Sequence, residues 1–251
     1  MFPVINLGPL SIPAPAFILL IGYMAGSFLL DKKAASFSMD SEIIDRAIWI
    51  GTIATIIGSR LSFIARFPAA FKGDLLSTLS LNPALLDLSG GIIIGIVSVF
   101  LVVTRHKIDY WMFLDSLTPF LGAMIPAYFL ARFSSGSGYG LATNMPWGIH
   151  LWGAFRHPVQ LYLAGAALIL LAIILGYAPF KNIPPGGLFL FFSAVTSCYL
   201  LFLSAFQEPG SYIFAGFRLN QIIFWIILFV TLLLLNSRIK STTEMVQHEI
   251  K

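Results

Sequence analysis

The sequence predicts an all-α integral membrane protein, a bundle of about seven transmembrane helices with the N-terminus outside and the C-terminus cytoplasmic. Three observations lead there. Only 10% of the 251 residues are charged against 58% hydrophobic, with a mean hydropathy of +0.88. A soluble domain carries roughly 25% charged residues, so the polar surface needed to cover a globule is missing. The apolar residues gather into runs near the roughly 20 residues that a bilayer-crossing helix requires, and the basic residues divide unevenly between alternate loops.

The first run, about residues 14 to 31, follows a segment without Lys or Arg and lacks a small-residue cleavage pattern. It reads as a retained helix, not a signal peptide. The further runs cover about 44 to 66, 90 to 104, 109 to 131, 158 to 178, 185 to 206 and 219 to 236. The loop at about 67 to 89 carries Pro68, Gly73 and Pro83 and is expected to hold a short interfacial helix. The loop at about 132 to 157 opens with "RFSSGSGYG", whose three glycines permit close backbone approaches. The sixth run starts after "IPPGG", a natural helix entry. Residues 237–251 form a polar cytoplasmic tail, frayed or weakly helical, and residues 1–251 read as a single transmembrane domain without an internal repeat.

Orientation follows from the loop cations. Loops one, three and five with the tail hold Lys32, Lys33, Arg105, Lys107, Lys181, Arg238, Lys240 and Lys251. The N-terminus and the other loops hold Arg66, Lys72, Arg132, Arg156 and Arg218, while Arg46 and Arg60 fall inside the second run. This bias puts the first set in the cytoplasm. Despite a net charge of +4 and a pI near 9.3, the basic residues form no stripe, which argues against nucleic acid as a partner. The single cysteine, Cys198, excludes an internal disulfide and a cysteine-based metal site.

Charged groups inside the runs are costly, so each needs a reason. Arg60, near the outer end of the second run, either snorkels to the headgroups or binds a phosphate. Asp115 either caps a proline-kinked helix start, pairs with Arg105 or Lys107, or meets substrate; Pro119 and Pro126 in the same run suggest kinking. The stretch "RHPVQLYLA", residues 156–164, concentrates polarity just ahead of the fifth run. Pro158 suits an early helix position. Arg156 and His157 would then face an anion at the helix start, or belong to an ordinary interfacial belt.

"RHPVQLYLA" resembles the "HPSQLYEA" signature of the bacterial prolipoprotein diacylglyceryl transferases. Residues 133–149, "FSSGSGYGLATNMPWGI", are similar without a gap to that family's "FINGELYGRPTDLPWGM", sharing Phe133, Gly136, Tyr139, Gly140, Thr143, Pro146, Trp147 and Gly148. Asp115 and Pro119 stand at the family's distance upstream of Phe133. "GSRLSFI" (58–64), "SGGIIIG" (89–95), "FQEPG" (206–210) and "LNQ" (219–221) resemble the family's "GARLGYV", "FHGGLIG", "FREPD" and "MGQ", in family order. The resemblance implies transfer of a diacylglyceryl group from phosphatidylglycerol to the cysteine thiol of a prolipoprotein lipobox peptide, releasing glycerol 1-phosphate. It also implies a multi-pass protein of the bacterial plasma (inner) membrane, in contact with the lipid bilayer, with no metal and no organic cofactor.

Carried over residue by residue, the resemblance makes Arg132 and His157 the catalytic candidates. Substrate binding falls to Arg60, Ser135, Gly136, Ser137, Tyr139, Gly140, Arg156, Gln160, Tyr162 and Glu208. The departures concern charge. The catalytic arginine of the family's "GRIGNF" is Phe129, and Arg132 stands three residues on, on the same helix face. The asparagine and glutamate of "FINGE" are Ser135 and Ser137, the histidine of "FHGG" is Ser89, and the glutamate of "QLYEA" is Leu163. The arginine and glutamate ahead of "FREP" are Leu200 and Ser204, and a tyrosine early in the first helix is Pro15. Three functions therefore stay open: a divergent transferase, a catalytically inactive relative that binds lipid or lipoprotein, and an unrelated transporter, for which inverted repeats are common.

Overall fold

The computed structural model describes residues 4–8, 10–34, 41–71, 87–176, 183–208, 213–214 and 217–249. Among them are seven helices long and apolar enough to cross a membrane: α1 (Ala14–Ala34), α2 (Ser41–Arg66), α3 (Leu88–Arg105), α4 (Tyr110–Ser135), α5 (Val159–Gly176), α6 (Gly187–Leu203) and α7 (Leu219–Glu249). Each coincides with one of the seven apolar runs, and the chain is a multi-pass, all-α membrane protein. Of the two expectations for the tail, the structure shows the helical one: α7 continues as helix to Glu249. Three short antiparallel hairpins accompany the helices: β1 (Val4–Leu7) with β2 (Leu10–Pro13), β3 (Ile149–Leu151) with β4 (Ala154–Arg156), and β5 (Ile213–Phe214) with β6 (Phe217–Arg218). Strands of two to four residues are too short to register as alternation in a sequence.

The chain divides into two compact units, Ala34–Phe113 and the remainder. In the first, α2 and α3 pack closely through small residues. A Cβ on Gly91 would meet Ser59 and the Thr55 carbonyl, and one on Gly95 would meet Thr55. Without a hydrophobic force between helices in lipid, such close backbone contact is what holds them together. The hydroxyls at this seam bond their own helix, Thr55 to Gly51 O at 2.8 Å and Ser59 to Thr55 O at 2.7 Å. Of the interfacial helix expected after α2, a 3-10 turn at Pro68–Phe71 is present, and residues 72–86 lie outside the described residues.

Asp87 precedes α3. Ser62 Oγ donates to its Oδ2 at 2.7 Å, and Arg66 Nη2 lies 3.3 Å from the same oxygen. The Ser62 hydrogen bond above all, with the Arg66 charge and N–H groups of Gly90 and Ser89, holds this carboxyl below its usual value of 3.8, against an opposing desolvation.

In the second unit α4 is central. It remains helical through Pro119 and Pro126. A Cβ on Gly22 of α1 would meet Ala127, one on Gly26 would meet Phe120, and Tyr23 stacks edge-on against Phe120 at 5.4 Å. Lys33 Nζ donates to Leu175 O at 3.2 Å, placing a cation at the C-terminal end of α5. Buried Asp115 accepts from Gly186 N at 2.7 Å and Phe189 N at 2.8 Å. These are the donors that the first turn of a helix cannot pair internally, so a carboxylate on α4 caps α6. Asp115 is a cap as one sequence reading had it, but of a different helix.

Two outcomes follow for stability. Asp115→Ala should cost about 2 kcal/mol, because charge-assisted buried hydrogen bonds are lost and two N–H groups are orphaned; Asp115→Asn should cost less, both read from thermal unfolding in detergent. Asp87, with a folded pKa below 3.8, contributes stability that is present above that value and lost as pH falls toward the folded one. The unfolding midpoint should therefore fall below pH 3.8 less steeply in Asp87→Asn than in the wild type.

Candidate functional site

The site forms in the second unit, where α4 and α6 end and α5 and α7 begin. Helix α4 stops at Ser135 because Gly136 adopts a left-handed conformation, φ +74°. Gly136 N donates to Phe133 O at 3.1 Å and Ser137 N to Arg132 O at 3.0 Å, the paired closure that ends helices at a glycine. The Ser135 hydroxyl also turns to Arg132 O, at 3.1 Å, and lies 2.9 Å from that of Ser137. Both serines, expected at substrate, thus close the end of α4.

From there the chain crosses the mouth of the unit as an extended segment paired on both sides. On one edge Gly140 N donates to His157 O at 3.1 Å, His157 N to Leu141 O at 3.0 Å, and Thr143 N to Phe155 O at 2.8 Å. On the other, Leu141 N donates to Phe206 O at 2.8 Å and Glu208 N to Tyr139 O at 3.1 Å. Arg156 locks this seam. Its guanidinium donates to Leu151 O at 3.2 Å and Gly140 O at 3.3 Å, pairs with Glu208 at 2.8 Å, and lies 4.7 Å from the centre of the Tyr139 ring.

Beside the seam opens a cavity of about 290 Å³, lined among others by Arg132, Tyr139, Gln207, Glu208, Arg218 and Gln221. The Arg132 guanidinium lies against Gly138, where any Cβ would displace it, and 5.8 Å from the Tyr128 ring. Gly138 has φ +66°, a conformation open to glycine. Among the described residues the Arg132 guanidinium takes no hydrogen bond and no salt bridge. A cation left uncompensated in a polar cavity is a site for an anion.

His157 is not among the residues lining this cavity. Its Nδ1 lies 3.3 Å from Tyr162 Oη, which also receives Trp147 Nε1 at 2.8 Å, and its ring meets Phe206 at 5.5 Å. Gln160 is fully buried, donating to Ser137 O at 2.8 Å, and its Oε1 has no partner among the described residues. Arg60 belongs to the other unit, where it is buried with its guanidinium 5.1 Å from the Phe71 ring centre. The structure thus gathers Arg132, Tyr139 and Glu208 at the cavity, with Gly136, Gly140 and Arg156 shaping the seam around it and His157 with Tyr162 forming an adjoining aromatic group.

Phe129, Val159, Leu163 and Ala164 form one buried apolar cluster, with Leu200, Leu203, Phe206 and Tyr162 packed against it. Phe129, Leu163 and Leu200 are three of the positions where the resemblance leads one to expect charge. These three neutral replacements are therefore neighbours in space, and Phe129 stands one helical turn before Arg132 on α4. Missed by sequence reasoning were Arg218, Ser204 and Gln207 as cavity residues. A signal existed for each: Gln207 lies inside "FQEPG", Arg218 directly precedes "LNQ", and Ser204 stands where the resemblance has a glutamate.

Residues 3–236 match the model of the prolipoprotein diacylglyceryl transferase family. The chain is 28% identical over 254 residues to the phosphatidylglycerol-prolipoprotein diacylglyceryl transferase of Rickettsia rickettsii (strain Sheila Smith), covering 94% of this chain and 96% of that relative. It is 30% identical over 257 residues to the protein of the same description from Rickettsia akari (strain Hartford), with the same coverages. The counterpart of Rickettsia felis (strain ATCC VR-1525 / URRWXCal2) is 28% identical over 253 residues, at 94% and 96% coverage.

The seam makes its own prediction. A Cβ on Gly140 would meet the His157 carbonyl, Val159 Cγ2 at 2.7 Å and His157 Cβ at 2.8 Å, two of them fixed parts of the paired strand. Gly140→Ala should cost about 1 to 3 kcal/mol as overpacking, lowering the unfolding midpoint, whereas Gly165→Ala, with open space around it, should not.

Proposed function

Because the chain belongs to the prolipoprotein diacylglyceryl transferase family, we propose that it transfers a diacylglyceryl group from phosphatidylglycerol to the lipobox cysteine of a prolipoprotein. The cysteine sulfur attacks the glyceryl carbon that bears the phosphate. A C–S bond forms, the C–O bond breaks, and its electron pair stays on the departing glycerol 1-phosphate. The thiol proton goes to a base. Arg132 is the phosphate clamp, and the observation that carries this role is its guanidinium, which takes no hydrogen bond or salt bridge among the described residues and lines a polar cavity.

His157 is the candidate base. In the tautomer whose Nδ1–H donates to Tyr162 Oη, at 3.3 Å, the Nε2 lone pair is left to take the thiol proton. A thiol with a free pKa near 8.5 needs such help at neutral pH. Tyr139, Gly136, Gly140, Gln160 and Tyr162 shape the pocket, and Arg156 with Glu208 holds its rim. An amphiphilic donor suits a polar cavity in a unit whose helices also carry the apolar cluster of Phe129, Leu163 and Leu200. The chain works as one domain in the bacterial inner membrane, N-terminus and site on the outer side and residues 237–251 in the cytoplasm, where the excess of loop cations belongs. Neither a metal nor an organic cofactor has a part in this chemistry.

A second reading is favoured by that same apolar cluster. Removing several buried charges together spares their desolvation, which suits a relative that binds lipid or lipoprotein without catalysis. A membrane assay with phosphatidylglycerol and a lipobox peptide separates the two. The wild type should form thioether product, and Arg132→Ala should lower the rate by roughly 100-fold or more, as for a group acting on transition-state charge. Product formed equally by the variant removes Arg132 from the mechanism, and no product from the wild type selects the second reading.

A further inference from the structure

Arg218 stands outside every motif that carries the family resemblance, yet it lines the same cavity as Arg132. Its Nη1 donates to Ser204 O and, at 2.9 Å, to Gln207 O. Two carbonyls at the end of α6 thus hold the guanidinium in place, and neither brings a negative charge. The one acidic residue lining the cavity, Glu208, is paired with Arg156 at 2.8 Å. Among the described residues no carboxylate meets Arg132 or Arg218. The cavity therefore presents two uncompensated guanidinium groups. Asn220 and Gln221, in the first turn of α7, add amide groups to its lining.

Two such charges exceed what a phosphodiester needs. A diester carries a single negative charge, while a phosphomonoester carries about −1.5 to −2 at pH 7. We propose that Arg132 and Arg218 form a two-cation site for a phosphate monoester dianion, binding the phosphorylated leaving group more tightly than the diester it comes from. The origin of that leaving group rests on the transfer reading; the preference for a dianion rests on the cavity. When the C–O bond of the lipid breaks, its electron pair becomes the second negative charge of the phosphate. A second guanidinium held in advance meets that charge as it develops and acts more on the transition state than on the bound lipid. The same arrangement makes the released monoester an inhibitor that competes for the cavity.

Calorimetric titration of the full-length protein in detergent tests this with two soluble probes, glycerol 1-phosphate as the monoester and glycerophosphoglycerol as the diester. At pH 7.5 the wild type should bind the monoester roughly tenfold or more tightly than the diester, the scale of one added charge-assisted hydrogen-bonding group. The preference should shrink at pH 5, below the second phosphate pKa near 6. Arg218→Gln should abolish the preference while still binding the diester, and Arg218→Lys should restore part of it. Equal binding of the two probes by the wild type, or a preference that survives in Arg218→Gln, overturns the proposal. The pH comparison needs only the wild type, so a variant that fails to fold leaves the test intact. A monoester preference without thioether product in the transfer assay ends the transfer reading and keeps the two-cation site, whereas product without the preference does the reverse.

Discussion

Residues 139–143 are hydrogen-bonded along both edges, to 155–157 on one side and to 206–208 on the other, and the candidate site depends on that seam. Irregular backbone at the end of a membrane bundle must satisfy its polar groups within the protein or at water, and this segment does so through isolated bridges and hydrogen bonds on both of its edges. The consequence reaches the side chains. Pairing to 155–157 puts Arg156 where it can reach both Gly140 O and Glu208, and pairing to 206–208 carries the end of α6 against the end of α4. The glycines are required because strand, carbonyl and guanidinium come closer than a methyl group permits at Gly140 and Gly138.

In the second unit the buried cluster around Phe129 carries no charge, whereas the cavity carries the arginines. Phe129, Leu163 and Leu200 share one apolar environment. A single surviving charge there would have lacked its counter-ions, which is the costly state for a buried ion. Arg132, one turn along α4 from Phe129, and Arg218 line a cavity of about 290 Å³ that gives them polar surroundings.

Several residues that invite a functional reading serve the fold. Asp115 caps α6, Ser135 and Ser137 close α4, and Gly91 with Gly95 lets α3 approach α2. In lipid, where hydrophobicity does not draw helices together, such polar and close-packed contacts supply specificity that a soluble protein obtains from its core. The same residue types at the same spacing thus support either reading until neighbours are known.

The seven spans, the multi-pass class and the membership of a lipid-modifying family were legible from residue order alone. Span length and loop charge are local properties, and the gapless stretch from Phe133 to Ile149 needs no partner to be recognised. Which polar residues share a cavity was not legible. Arg132 and Arg218 are 86 positions apart, and no periodicity links them; they meet because the strand pairing after α4 and the 3-10 turn after α6 bring both ends together. The sequence by itself determined how often the chain crosses the membrane and to which family it belongs, since those follow from local apolarity and motif order. Only the tertiary structure decided which charges stay unpaired, because compensation depends on distances between residues that the chain order does not set.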